Sequence, residues 1–124
     1  MSFLERYLAA LDGPDRFSSL EMVADDCEFS IQWATEDGRS RQLVGGRAEL
    51  RRFVEADDMR GWAHYVLHAA ADGDVEFAVG ETRWDDGRRI STFAATVELD
   101  ADGRMRRYMV ARSPAIVFDG GADA

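Results

Sequence analysis

Four apolar-alternating runs fill the second half of the chain, at roughly 62–71, 75–84, 89–99 and 104–113. They are separated by Asp72-Gly73, Asp85-Asp86-Gly87 and Asp100-Ala101-Asp102-Gly103. Asp-Gly between alternating runs supplies the backbone conformations of a tight hairpin, so this half predicts an antiparallel meander. A sheet with one apolar face must be covered by other elements.

The first half supplies that cover. Ser2-Phe3-Leu4-Glu5 has the spacing of a capping box, and Phe3, Leu4, Tyr7, Leu8 and Leu11 recur at helical spacing until Gly13. Pro14 suits the first turn of a second helix, with Phe17, Leu20, Val23 and Ala24 inward and an end near Asp25-Asp26. The period then changes to two. Cys27, Phe29, Ile31 and Trp33 alternate with polar residues, a strand buried on one face. A short strand at 41–44 follows, and a third helix starts near Arg47 with Leu50, Phe53 and Val54 inward. The expected fold is α+β: a cone-shaped, curved antiparallel sheet wrapped around three helices from the N-terminal half, enclosing an apolar pocket. One domain is expected over 1–124, with its core at about 3–113, a tail at 114–124, and disorder at 120–124.

Composition narrows the chemistry. Fifteen basic against 24 acidic residues give a net charge of −9, which disfavours nucleic acid and anionic membrane surfaces as partners. The chain has no lysine, which excludes Schiff-base catalysis and a phosphate-loop lysine. Cys27 is the single cysteine, so no internal disulfide or cysteine-rich zinc site can form. Charges at Glu5 and Arg6 interrupt any leader-like apolar core, and no run approaches the ~18 apolar residues of a membrane span. A cytoplasmic protein is expected.

Glu5-Arg6-Tyr7-Leu8, Ala24-Asp25-Asp26, Gly46-Arg47, His64 ahead of Asp72-Gly73-Asp74, and Asp102-Gly103-Arg104-Met105 occur in an order that resembles the nuclear-transport-factor-2-like superfamily, in its SnoaL-like and ketosteroid-isomerase-like branch. The resemblance covers about residues 3 to 113. It implies an apolar or aromatic small molecule as partner, no cofactor, no metal, and a homodimer formed through the outer sheet face.

The resemblance places Tyr7 where the family keeps a tyrosine that donates to an enolate, and His64 where SnoaL-like enzymes keep an acid–base group lining the cavity. The family's two carboxylate positions fall on Ile31 and Ala95, both apolar, which argues against a steroid-isomerase mechanism. Trp33, Phe53, Val66, His68, Phe93 and Tyr108 are the expected pocket wall. A core aromatic at Tyr7 and a histidine satisfied by backbone at His64 are the competing structural readings. On a strand His64 and His68 are about 13 Å apart, too far to share a metal ion.

Arg83-Trp84-Asp85 resembles the Arg-x-Asp pair of limonene-epoxide-hydrolase-like proteins, but the last strand lacks the further carboxylate that chemistry needs. Periodicity leaves open whether Glu81 and Arg83, or Gly80, Thr82 and Trp84, face inward. Function stays between two readings: a cofactor-independent isomerase, cyclase or dehydratase, and a non-catalytic protein holding an apolar ligand in the same pocket.

Overall fold

The computed structural model describes residues 1–56 and 61–117. In chain order it contains α1 (Phe3–Asp12), a 3-10 helix (Arg16–Met22), β1 (Val23–Ala34), β2 (Ser40–Gly45), α2 (Arg47–Ala56), β3 (Trp62–Asp72), β4 (Val75–Trp84), β5 (Arg89–Leu99) and β6 (Met105–Ser113). The six strands form one sheet in the order β2-β1-β6-β5-β4-β3. Every neighbouring pair is antiparallel except β1 and β6. The sheet is therefore mixed rather than purely antiparallel, because β1 pairs with the last strand of the meander.

The capping box forms as its spacing predicts: Glu5 N donates to Ser2 Oγ, and Ser2 N donates to the Glu5 carboxylate. Two further free amides of α1, Phe3 N and Leu4 N, donate to the Glu76 carboxylate of β4 at 3.1 Å each. A strand carboxylate thus pins the N-terminal end of α1 against the sheet, satisfying donors that a helix start leaves open. Arg16 ties the other end, donating to Leu11 O and to Val54 O of α2.

The second helix differs from expectation. It is a 3-10 segment, and Val23 to Asp26 already belong to β1. Val23 and Ala24 are both buried while Asp25 and Asp26 are both exposed, a pattern that neither period describes. Phe17, expected inward, is 49% exposed.

Cross-strand register defines the inner face. Trp33 lies beside Arg112, which pairs with Phe93, which pairs with Gly80. The next row is Ile31, Val110, Ala95 and Ala78. Phe29, Tyr108 and Val97 form the row beyond. α1 and α2 cover this face, and Leu4, Tyr7, Val97 and Met105 have no exposed surface. The open choice on β4 is thereby decided. Ala78, Gly80 and Thr82 face inward, while Glu81 and Arg83 pair at 2.9 Å on the outer face, where Arg83 lies 4.7 Å above the Tyr65 ring.

Beyond Ser113 the chain is tied to the start of β5: Thr92 Oγ1 donates to Ile116 O and Arg89 donates to Pro114 O. The carbonyls of Pro114 and Ile116 thus hold the start of the expected 114–124 tail against β5. The tail at 120–124 lies outside the described residues.

Candidate functional site

α1 delivers Tyr7 to the inner face, stacked on Phe3 and edge-on to Tyr108, with ring centres 6.2 and 5.5 Å apart. The Tyr7 hydroxyl is buried and has no hydrogen-bond partner among the described residues. Burial, and next the neighbouring Tyr108, raise its pKa well above the ordinary value, so the phenol stays protonated as a donor. Burial raises that of Tyr108 as well.

β3 delivers His64. Its backbone N donates to Asp12 Oδ2 at 2.7 Å, and its ring Nδ1 lies 3.0 and 3.1 Å from the two Asp12 oxygens. The carboxylate accepts, so in the neutral ring Nδ1 carries the hydrogen and Nε2 keeps its lone pair. Among the described residues Nε2 makes no hydrogen bond. The His64 and Asp12 side chains are 11% and 10% exposed. Trp62 and Phe93 stand edge-to-face to the imidazole at 5.1 and 5.6 Å.

Asp12 is the residue that sequence reasoning missed. It ends α1, where the helix carbonyls disfavour an anion. A carboxylate in that position needs a donor from elsewhere, and that mismatch was the available signal.

Tyr7, Leu11, Ile31, Leu50, Phe53, Trp62, His64, Tyr108, Val110 and Arg112 enclose an inner cavity of about 30 Å³. This is room for a water or two and too little for a ring. Trp62 and Arg112 also line a wider space of about 240 Å³ at the strand ends, together with Trp33, Thr82, Trp84 and Ser91. The Arg112 guanidinium sits 5.5 Å from the Trp33 ring centre and 5.4 Å from that of Trp62, a cation held between two aromatic rings beside this wider space, the mouth.

Of the expected wall, Phe53 and Tyr108 line the inner cavity, Trp33 lines the mouth, and Phe93 packs on His64. Val66 is partly buried against the core on the inner face, away from the cavity lining. His68 requires correction. The pairing shifts between Val66 and His68, so Leu67 is an extra residue and His68 turns to the outer side opposite Val79, exposed. Among the described residues no group of three His, Cys, Asp or Glu side chains gathers to hold a metal ion. Cys27 is buried, and burial, with Asp26 and Glu28 nearby, pushes its thiol up to about 11.

No family model and no curated protein matches the chain. Solved structures do. A protein of Agrobacterium tumefaciens named as an isomerase of the SnoaL-like family superposes with a TM-score of 0.69 at 16% identity, over 88% of this chain and 92% of that one. An NTF-2 like protein of Burkholderia xenovorans gives 0.67 at 15% identity, over 97% and 87%. A protein of Sinorhizobium meliloti named as a polyketide cyclase gives 0.61 at 20% identity, over 86% and 91%. The chain has the nuclear-transport-factor-2-like fold.

Proposed function

We propose that this protein is a SnoaL-like small-molecule enzyme that isomerises, cyclises or dehydrates an apolar ring compound without a bound cofactor. The observation that carries the reading is the Asp12–His64 pair beside a cavity that Tyr7 also lines, its buried hydroxyl without a hydrogen-bond partner among the described residues. His64 Nε2 takes a proton from the carbon next to a carbonyl. Tyr7 donates to the oxygen as it gains enolate character, and Asp12 stabilises the imidazolium that results. His64 then returns the proton at another carbon or to a leaving oxygen. Ile31 and Ala95 keep the surroundings apolar, which strengthens both interactions. For a ring edge to reach His64, the inner cavity must widen beyond its about 30 Å³, and Trp62 and Arg112 are the lining residues shared with the wider space.

A second reading, a non-catalytic binding protein, is favoured by the wider space of about 240 Å³ at the strand ends, which Trp33, Trp62 and Trp84 line and His64 does not. A thermal-shift screen of hydroxylated aromatics, cyclic ketones and terpenoids against wild type and His64→Gln separates the two. The enzyme reading expects a compound that raises the wild-type Tm and is converted to product, with conversion lost in His64→Gln. Stabilising compounds that are never converted support the binding protein.

The proposal includes a cytoplasmic homodimer paired through the outer sheet face. Phe77, Thr96, Met109, Ser30 and Val44 form one cross-strand row there, and Phe77, Met109 and Val44 are exposed apolar residues. Sedimentation equilibrium of wild type and Met109→Glu tests the pairing: a dimer that becomes monomeric is expected, and a wild-type monomer contradicts it.

A further inference from the structure

Thr82 and Ser91 pair across β4 and β5, and Thr82 also pairs with His64 of β3, so the three share one inner-face row. The two hydroxyl oxygens are 2.6 Å apart. Both side chains are buried, at 1% and 5% exposure, yet both line the mouth. A cross-strand Thr–Ser pair by itself supports strand pairing. This one carries a surplus. Two hydroxyls bring two hydrogens, and only one can lie between the oxygens. Neither side chain makes another hydrogen bond among the described residues, so one buried O–H is left without an acceptor whichever residue donates. Around the pair stand Trp33, Trp62 and Trp84, all three tryptophans of the chain.

We infer that the Thr82–Ser91 pair is a donor subsite for a carbonyl or ether oxygen on a flat ring compound stacked among these tryptophans. The inference rests on the proposed small-molecule reading and adds the ligand's chemistry to it. The spare hydroxyl hydrogen anchors one oxygen at the mouth, and Tyr7 receives a second at the inner end. The ligand class is therefore a planar ring system with oxygen acceptors at both ends. A hydrocarbon of the same shape fills the tryptophan walls but leaves the buried hydrogen unpaired, which is the basis of discrimination.

The probes are 1-tetralone and tetralin, which share a bicyclic shape and differ in one carbonyl. Their affinities follow from quenching of tryptophan fluorescence in wild type, Tyr7→Phe and Thr82→Val/Ser91→Ala. The ketone is expected to bind wild type about tenfold tighter than the hydrocarbon, the typical weight of one hydrogen bond. That preference should persist in Tyr7→Phe and vanish in the double variant. A preference that survives in the double variant and vanishes in Tyr7→Phe overturns the subsite while leaving the proposed site standing. Absence of saturable binding to wild type overturns both. The carbonyl stretch of 1-tetralone bound to Tyr7→Phe gives a reading that does not depend on the double variant folding. A shift to lower frequency supports donation from the pair, and an unshifted band overturns it.

Discussion

Asp12 holds His64 twice, accepting from its backbone amide at 2.7 Å and from its ring Nδ1 at 3.0 Å. One carboxylate thereby sets both the position of β3 beside α1 and the tautomer of the imidazole. Asp12→Asn preserves shape but can present its amide to Nδ1, favouring hydrogen on Nε2 instead. Nitrogen-15 NMR of the neutral ring should show Nδ1–H in wild type and a shift toward Nε2–H in Asp12→Asn. Turnover should fall by roughly 10²- to 10⁴-fold, the usual weight of a misoriented general base.

Tyr7→Phe separates a functional hydroxyl from a structural one by sign. A buried hydroxyl with a partner costs stability when removed, commonly about 1 kcal/mol. Among the described residues the Tyr7 hydroxyl has no partner, so its removal should leave the Tm unchanged or raise it. Chemical denaturation of the two proteins checks this, and a clear loss of stability would make Tyr7 a structural donor.

The meander was legible because Asp-Gly breaks and period-two runs are local signals. Gly73 and Gly103 adopt the positive φ, +60° and +77°, that such turns require. α1 was legible for the same reason, its capping box lying within four residues. Asp12 was not, since its partner is 52 residues away and no local pattern encodes that contact. The misplacement of His68 has a similar origin. One extra residue at Leu67 reverses the face of everything after it. Gly80 was the clue: a Cβ there would overlap the Tyr65 carbonyl oxygen and stand 2.7 Å from the Phe93 ring, so only glycine admits the bulged strand. At Val23 to Asp26, apolar and acidic residues come in pairs, so periodicity could not separate helix from strand.

Alkaline pH should destabilise the protein in a defined window. Tyr7 and Tyr108 have pKa values raised above 10 by burial, and Cys27 is raised from 9.0 to about 11. Each raised group keeps its proton longer in the folded state than in the unfolded one. Their contribution is complete below about pH 9 and declines as pH rises, by up to ~1.4 kcal/mol per pH unit for each group that is ionised only when unfolded. Absorbance of phenolate should show two of the three tyrosines ionising only as the fold is lost. Their smooth titration in folded protein near pH 10 would contradict this burial.

Proton exchange tests the central claim most directly. Cyclic ketones that stabilise the protein are incubated in D₂O, and deuterium entering the carbon beside the carbonyl is followed by mass spectrometry. The Asp12–His64 base and the Tyr7 donor predict exchange well above the buffer rate in wild type, falling at least about 10²-fold in His64→Gln while the Tm is retained. Exchange at the same rate in wild type and folded His64→Gln would remove His64 from the chemistry and leave a protein that binds rings without transforming them.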